Sequence, residues 1–351
     1  MDEILWPTFL PQTPWLQLAA ASAAVILAGI KLSRYGDLLA ERLGLGHAVV
    51  GVIFVAFATS LPEIATCIGA VAWRKEAGLA VGNGFGSIAF NLAIIFVADL
   101  MAGRGSVFLR LPRHCARPGA LSLVLIALFG AAMGLEVFLP TRLPVLGMGP
   151  GSVLVIVAYA LGVWWLSRKS RGEVASIAQE EGEEEDEVRI STSGIFARYF
   201  VVALVICWAG LNLSAAGDRI SDQYGMGSTF VGVIFLAVAT SLPELTVAIS
   251  SARRGLYEMI IGNIFGANMF NVLVIACSDA LYRSGSIAGV TARGDQALQG
   301  TVTVSFAGVM TCLAIYGVLA RSNTRLWRIT IPSALILVLY LTMTCLLYAL
   351  R

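Results

Sequence analysis

Apolar residues run along this chain in long blocks separated by short polar interruptions. Ten blocks are long enough to be membrane helices: 15–33, 47–73, 78–101, 119–139, 148–167, 196–215, 227–252, 257–282, 299–320 and 328–350. A helix that crosses a bilayer takes about 20 apolar residues, so the pattern predicts an all-α integral membrane protein of ten transmembrane helices. Two blocks are broken in the same way. "FATSLPEI" ends at Ile64 and "VATSLPEL" ends at Leu245, each with Pro and then Glu inside an apolar run.

The likeness extends well beyond those eight letters. Laid without gaps on Gly217–Glu244, Gly36–Glu63 gives 16 identities in 28 positions, and "VGNGFGSIAFN" (81–91) matches "IGNIFGANMFN" (261–271). One unit is therefore used twice. Five spans precede the second copy, and an odd number makes the copies enter the membrane in opposite directions. The expected organisation is two inverted five-helix repeats, 1–167 and 196–351, around a linker at 168–195. Inverted repeats mark secondary transporters, whose site lies at the repeat interface near the midplane. The linker carries an acidic run at 180–187 and reads as a solvated cytosolic segment; it lacks the ligand spacing of a calcium loop.

Composition and charge refine the picture. The chain has 351 residues, 58% hydrophobic and 13% charged, with a mean hydropathy of +0.81, which excludes an ordinary soluble domain. The net charge of +2 says little about partners; the expected surroundings are a lipid bilayer, with no nucleic-acid partner. The start "MDEILWPTFLPQTPW" has no Lys or Arg and is not a secretory signal. Counting loops alternately, 17 of the 24 basic residues fall on one side. The positive-inside rule then places both termini outside and the 168–195 loop in the cytosol of a cell-type membrane. Of six cysteines, Cys115 alone falls in a predicted loop, and the rest are expected as buried thiols within spans.

The candidate chemistry centres on Glu63 and Glu244. A charge at membrane depth costs a few kcal/mol or more, so two such residues in matched surroundings point to function. Thr59 and Ser60 lie four and three residues before Glu63, on its helical face, with Ala56 a further turn back. Pro62 has no amide hydrogen, so the Ala58 carbonyl loses its helical donor and the backbone near Thr59 is expected to open. Ala237, Thr240, Ser241 and Glu244 repeat the arrangement. Ser87 and Asn91 share a face in the next span, with Asn271 equivalent to Asn91. Gly82, Gly86, Gly262 and Gly266 have the spacing that brings membrane helices close. Asp99 and Asp279 also correspond, each near the end of a span, and read as structural. Two carboxylates, two amides, hydroxyls and freed carbonyls suit a hard cation such as Ca²⁺ or Na⁺. Two close carboxylates stay ionised in a dry site only if cations compensate them. One divalent or several monovalent ions can do so, and their competition is the basis of exchange.

"GVIFVAFATSLPE" with "GNGFGSIAFN", and "GVIFLAVATSLPE" with "GNIFGANMFN", resemble the two alpha-repeats of the calcium/cation antiporter superfamily, most closely its sodium/calcium exchanger branch. The resemblance implies a transporter rather than an enzyme, with no cofactor. It implies a Ca²⁺ site on Glu63 and Glu244 with backbone oxygens of Thr59 and Thr240. Flanking Na⁺ sites would involve Ala56, Ser60 and Ser87, and Ala237 and Ser241. Two departures stand out. Ala267 occupies the place of the Ser equivalent to Ser87, which removes a hydroxyl from one monovalent site. Asn271 stands where potassium-dependent members carry Asp, which argues against potassium dependence. The expectation is Ca²⁺/Na⁺ antiport by alternating access, with Ca²⁺/H⁺ exchange as the alternative and a passive cation channel as the alternative of another class.

Overall fold

The computed structural model describes residues 13–43, 50–103, 106–138, 147–177, 191–223, 237–293, 297–326 and 328–350. The first half contains α1 (Pro14–Leu43), the short α2 (Ala56–Thr59), α3 (Leu61–Gly69), α4 (Ala77–Met101), the short α5 (Val107–Arg110), α6 (Ala116–Phe138) and α7 (Pro150–Ile177). The second contains α8 (Thr192–Gln223), the short α9 (Ala237–Thr240), α10 (Leu242–Arg253), α11 (Tyr257–Ser278), the short α12 (Ile287–Thr291), α13 (Ala297–Leu319) and α14 (Ile331–Ala349). A two-residue ribbon, β1 (Arg325–Leu326) against β2 (Ile329–Thr330), is the one departure from helix among the described elements.

Among the described residues eight helices are long and apolar enough to cross a membrane, and Gly51–Thr59 with Leu61–Ala72, bent by 50°, makes a ninth if the pair is one span. Of the expected span 227–252, residues 227–236 lie outside the described residues, and the rest forms α9 and α10. Helix α7 continues to Ile177 and α8 begins at Thr192, while 178–190 lie outside the described residues. Helix α7 thus continues past the apolar block into "SRKSRGEVASI", whose Arg, Lys, Glu and Ala are good helix formers.

Among the membrane-length helices α4 and α11 are the most buried, and they run antiparallel. Gly84 lies against Ile275 while Asn91 meets Asn268, so residue numbers rise along one helix as they fall along the other. Their equivalent ends, Asp99 and Asp279, are thereby at opposite ends of the bundle, as inverted repeats require. The loops agree. Arg321 and Arg325 donate to the carbonyls of Leu109 and Gly103 at one end, at 2.9 and 3.1 Å. At the other end Arg293 donates to the carbonyls of Glu136 and Val137.

Both aspartates are structural. Asp99 accepts the Val107 amide on Oδ1 (2.9 Å), and the Thr330 amide and hydroxyl on Oδ2 (2.7 and 2.8 Å). Asp279 accepts the Ile287 amide on Oδ1 (2.7 Å), and the Gly149 amide and Ser152 hydroxyl on Oδ2 (both 2.7 Å). Each carboxylate thus ties the end of a central helix to the N-termini of two others, where orphan amides and the helix dipole favour negative charge.

Between membrane helices there is no hydrophobic drive, so close backbone approach and hydrogen bonds hold the halves together. A Cβ on Gly266 would sit 2.7 Å from Ala56 Cβ and 2.8 Å from Val52 Cα, so this glycine lets α11 touch the first broken helix. A Cβ on Gly51 would meet the Met259 carbonyl at 2.7 Å. Outward-facing Leu154, Leu161, Trp164, Val201, Leu204 and Leu341 give the rim an apolar surface suited to lipid. Cys277, Cys312 and Cys345 are exposed there rather than buried as expected, whereas Cys115, expected in a loop, is buried in a short turn. Helix periodicity alone does not say which face of a uniformly apolar helix meets protein and which meets lipid.

Candidate cation site

The proline breaks behave as the sequence predicts. The helix holding Ala56 stops at Thr59, Ser60 adopts φ −84° and ψ 4°, and a new helix starts at Leu61 with Pro62 in its first turn. Across the break, Ser60 donates its amide to Ala56 O (3.0 Å) and Ile64 to Ser60 O (3.1 Å). Ser241 does the same at φ −91° and ψ 8°, donating to Ala237 O (3.1 Å) and accepting from Leu245 (3.2 Å). Glu63 and Glu244 fall in the first turns of α3 and α10, against the positive ends of those helices.

Glu63 is 2% exposed and Glu244 is fully buried. Each faces hydroxyls of the opposite half. Ser241 Oγ donates to Glu63 Oε1 at 3.2 Å, with Thr240 beside it, while Thr59 and Ser60 are set against Glu244. The stripe on the central helices joins them. Ser87 and Thr240 hydroxyls lie 3.4 Å apart, and Asn91 donates its amide to Asn268 Oδ1 at 3.2 Å.

The structure thus gathers Glu63, Glu244, Thr59, Thr240, Ser60, Ser241, Ser87 and Asn91 around one buried polar region. Asn271 is buried on the same helix as Asn268, and Ala267 beside them is fully buried without a hydroxyl to offer. The Ala56 and Ala237 carbonyls keep their helical amide donors and also accept from Thr59 and Thr240 hydroxyls, each at 3.3 Å. Any ion they met would share them. Two residues escaped the sequence reasoning: Asn263, whose Oδ1 accepts from Thr59 Oγ1 (3.3 Å), and Asn83, whose amide donates to Thr66 Oγ1 (3.0 Å). Their signal was present, since they are the matched Asn of the "GN" pairs at 82–83 and 262–263.

Many of the gathered atoms have no hydrogen-bond partner among the described residues. They are Glu63 Oε2, both oxygens of Glu244, Ser60 Oγ, Asn91 Oδ1 and both amide atoms of Asn271. Leaving buried polar atoms unmatched costs several kcal/mol each in an apolar medium. A concentrated set of unmatched oxygens, half of them carboxylate, with no imidazole or sulfur among them, suits hard cations.

Two pseudo-symmetric broken helices that enclose such a set between inverted repeats define a membrane ion transporter. The chain belongs to the sodium/calcium exchanger protein family, whose model matches residues 13–168 and 195–349. Membership places it among membrane-embedded cation exchangers. It is 27% identical over 283 residues to the sodium/calcium exchanger MaX1 of Methanosarcina acetivorans, covering 71% of this chain and 77% of the relative. It is 25% identical over 269 residues to the putative antiporter CaxA of Alkalimonas amylolytica, covering 76% and 80% respectively. The fold is similar to a solved structure of the sodium-calcium exchanger NCX_Mj, with a TM-score of 0.70 at 15% identity over 96% of this chain and 99% of that one.

Proposed function

We propose that this protein exchanges Ca²⁺ for Na⁺ across a cell membrane by alternating access to the site between its halves. The observation that carries the reading is reciprocity: each glutamate is faced by the Thr–Ser pair of the opposite repeat. An ion held there belongs to both halves at once, so a relative motion of elements around it changes its exposure without dismantling the site.

In this reading Glu63 and Glu244 hold Ca²⁺, helped by the main-chain oxygens of Thr59 and Thr240. Ser60, Ser241, Ser87, Ala56 and Ala237 supply the neighbouring Na⁺ positions. Asn91 and Asn271 supply amide oxygens beside them. The repeats run over 1–167 and 196–351, both termini lie outside, and the segment 168–195 faces the cytosol. Helices α1 and α8 are the moving pair: they lie side by side, with Gln17 donating to Asn212 Oδ1 at 2.9 Å, and each meets the broken helix of the other half at a glycine, Gly29 and Gly210.

Proteoliposomes test the reading. An outward Na⁺ gradient is expected to drive ⁴⁵Ca²⁺ uptake, abolished in Glu63→Gln and Glu244→Gln. One observation favours a second reading, Ca²⁺/H⁺ exchange: Ala267 withholds a hydroxyl from one monovalent position. Uptake driven by a pH gradient and indifferent to Na⁺ would replace the first reading with the second. Uptake coupled to neither gradient would make the protein a passive channel.

A further inference from the structure

A second cluster of ligating side chains lies apart from the transport site, on the arginine-rich face. Among the described residues, His114, Cys115 and Glu258 are the trio of such groups whose ligand atoms all lie within 4.8 Å of one another. His114 Nε2 and Glu258 Oε2 are 3.7 Å apart, and both side chains are about one-third exposed, at 34% and 35%. Cys115 is 1% exposed beneath them. The trio joins the two halves: His114 and Cys115 form the turn that starts α6, and Glu258 sits in the first turn of α11.

We propose that these three residues form a binding site for a borderline-soft divalent cation of the Zn²⁺ class, which clamps the start of α6 to the start of α11. The donor set selects the metal. Thiolate, imidazole and carboxylate are the ordinary ligands of Zn²⁺, at about 2.0–2.3 Å, whereas Ca²⁺ and Na⁺ take oxygen alone. Ligand atoms on a tetrahedral ion stand roughly 3.3–3.7 Å apart at those bond lengths, so the His–Glu pair is already close to spacing. Closing the remaining distance to the buried sulfur takes a movement of about 1 Å from the present separations of up to 4.8 Å. Three protein ligands leave a fourth position for water, and a cavity of about 220 Å³ lined by Arg110, Tyr257 and Glu258 opens beside the carboxylate.

Charge also balances. On binding, the Cys115 thiol releases its proton to solvent, and thiolate plus carboxylate neutralise the dication. The nearby Arg110 is engaged elsewhere, with its guanidinium 4.9 Å from the Tyr257 ring centroid and a hydrogen bond to the Ala102 carbonyl at 2.9 Å. Arg113, next to His114, points into solvent.

Co²⁺ titration of the full-length protein in detergent tests this, with Co²⁺ as the spectroscopic stand-in for Zn²⁺. The wild type is expected to develop a near-ultraviolet sulfur-to-cobalt charge-transfer band and tetrahedral d–d bands, both bleached by Zn²⁺. Cys115→Ser is expected to lose the charge-transfer band. His114→Ala and Glu258→Gln, which keep the thiol, are expected to weaken Co²⁺ binding by at least ~10-fold, the scale of loss even of an outer-shell partner. Zn²⁺ at a concentration that just saturates the wild type is expected to raise its melting temperature more than that of any of the three variants. Absence of the band in folded wild type, its persistence in Cys115→Ser, or wild-type binding by both His114→Ala and Glu258→Gln would overturn the site. The readout does not depend on transport, so it stands or falls separately from the exchange reading.

Discussion

Gly210 lies against the ring of Pro62, so close that a Cβ on the glycine would stand 2.2 Å from the proline Cγ. Its counterpart 181 residues earlier, Gly29, lies against Thr246 of the second broken helix, where a Cβ would be 2.8 Å from Thr246 Cγ2 and 3.7 Å from the Pro243 carbonyl. Helix α8 therefore crosses the first break and α1 the second, each on a glycine. The contact follows from the repeat, yet it joins opposite halves.

The first prediction concerns this crossing. Gly210→Ala is expected to cost about 1–3 kcal/mol through overpacking against a rigid ring. Gly29→Ala, whose neighbour is an acyclic side chain, should cost less. Thermal melting in detergent, together with Na⁺-driven Ca²⁺ flux, checks the order. Equal, negligible effects of both changes would show that the crossing has room for a methyl group.

Ser241 donates the hydrogen bond described for Glu63 Oε1, and a hydrogen bond to a charged group is worth about 1.5–3 kcal/mol. Ser241→Ala is accordingly expected to weaken apparent Ca²⁺ affinity roughly 10- to 100-fold, with turnover at saturating Ca²⁺ less affected. Ser241→Thr should restore much of the loss. Concentration dependence of ⁴⁵Ca²⁺ uptake distinguishes these outcomes, and wild-type affinity in Ser241→Ala would remove Ser241 from the site.

Asp99 and Asp279 are expected to matter for stability and not for ion affinity. Asp279→Asn leaves an amide where a carboxylate accepts three hydrogen bonds, at a cost of about 1–3 kcal/mol. Asp99→Asn should behave alike at the other end of the molecule. Both variants should melt earlier while their folded fraction keeps wild-type Ca²⁺ affinity. A variant that melts normally but loses Ca²⁺ affinity would make its aspartate part of the ion path.

Ala267→Ser places a hydroxyl at the repeat equivalent of Ser87, on a fully buried helix face beside Asn268. Under the exchange reading it is expected to raise apparent Na⁺ affinity and leave melting nearly unchanged, since an added oxygen is small and has polar neighbours. If Na⁺ dependence is untouched, the site loses nothing through Ala267.

Much of this was legible in the one-dimensional string. Block length and hydropathy set the membrane class, because nothing but helix satisfies its own backbone in lipid without a closed barrel. Duplication of "ATSLPE" predicted two broken helices, because proline removes a donor wherever it sits in a helix. The eight-residue step from Asn91 to Asp99 and from Asn271 to Asp279 marked the aspartates as a matched pair.

What the chain could not reveal by itself was partnership. Periodicity says that Thr59, Ser60 and Glu63 share a face, yet Glu63 is served by Ser241, and Thr59 reaches Asn263. Nor could it say that Asp99 would hold Thr330, or that Cys115 would be buried beside Glu258 while Cys312 faces outward. Within a helix, neighbours are fixed by the turn; between helices, they depend on which faces of nearly uniform apolar cylinders come together. That choice is made by glycine-sized gaps and buried hydrogen bonds spread over the whole bundle, and so belongs to the tertiary structure alone.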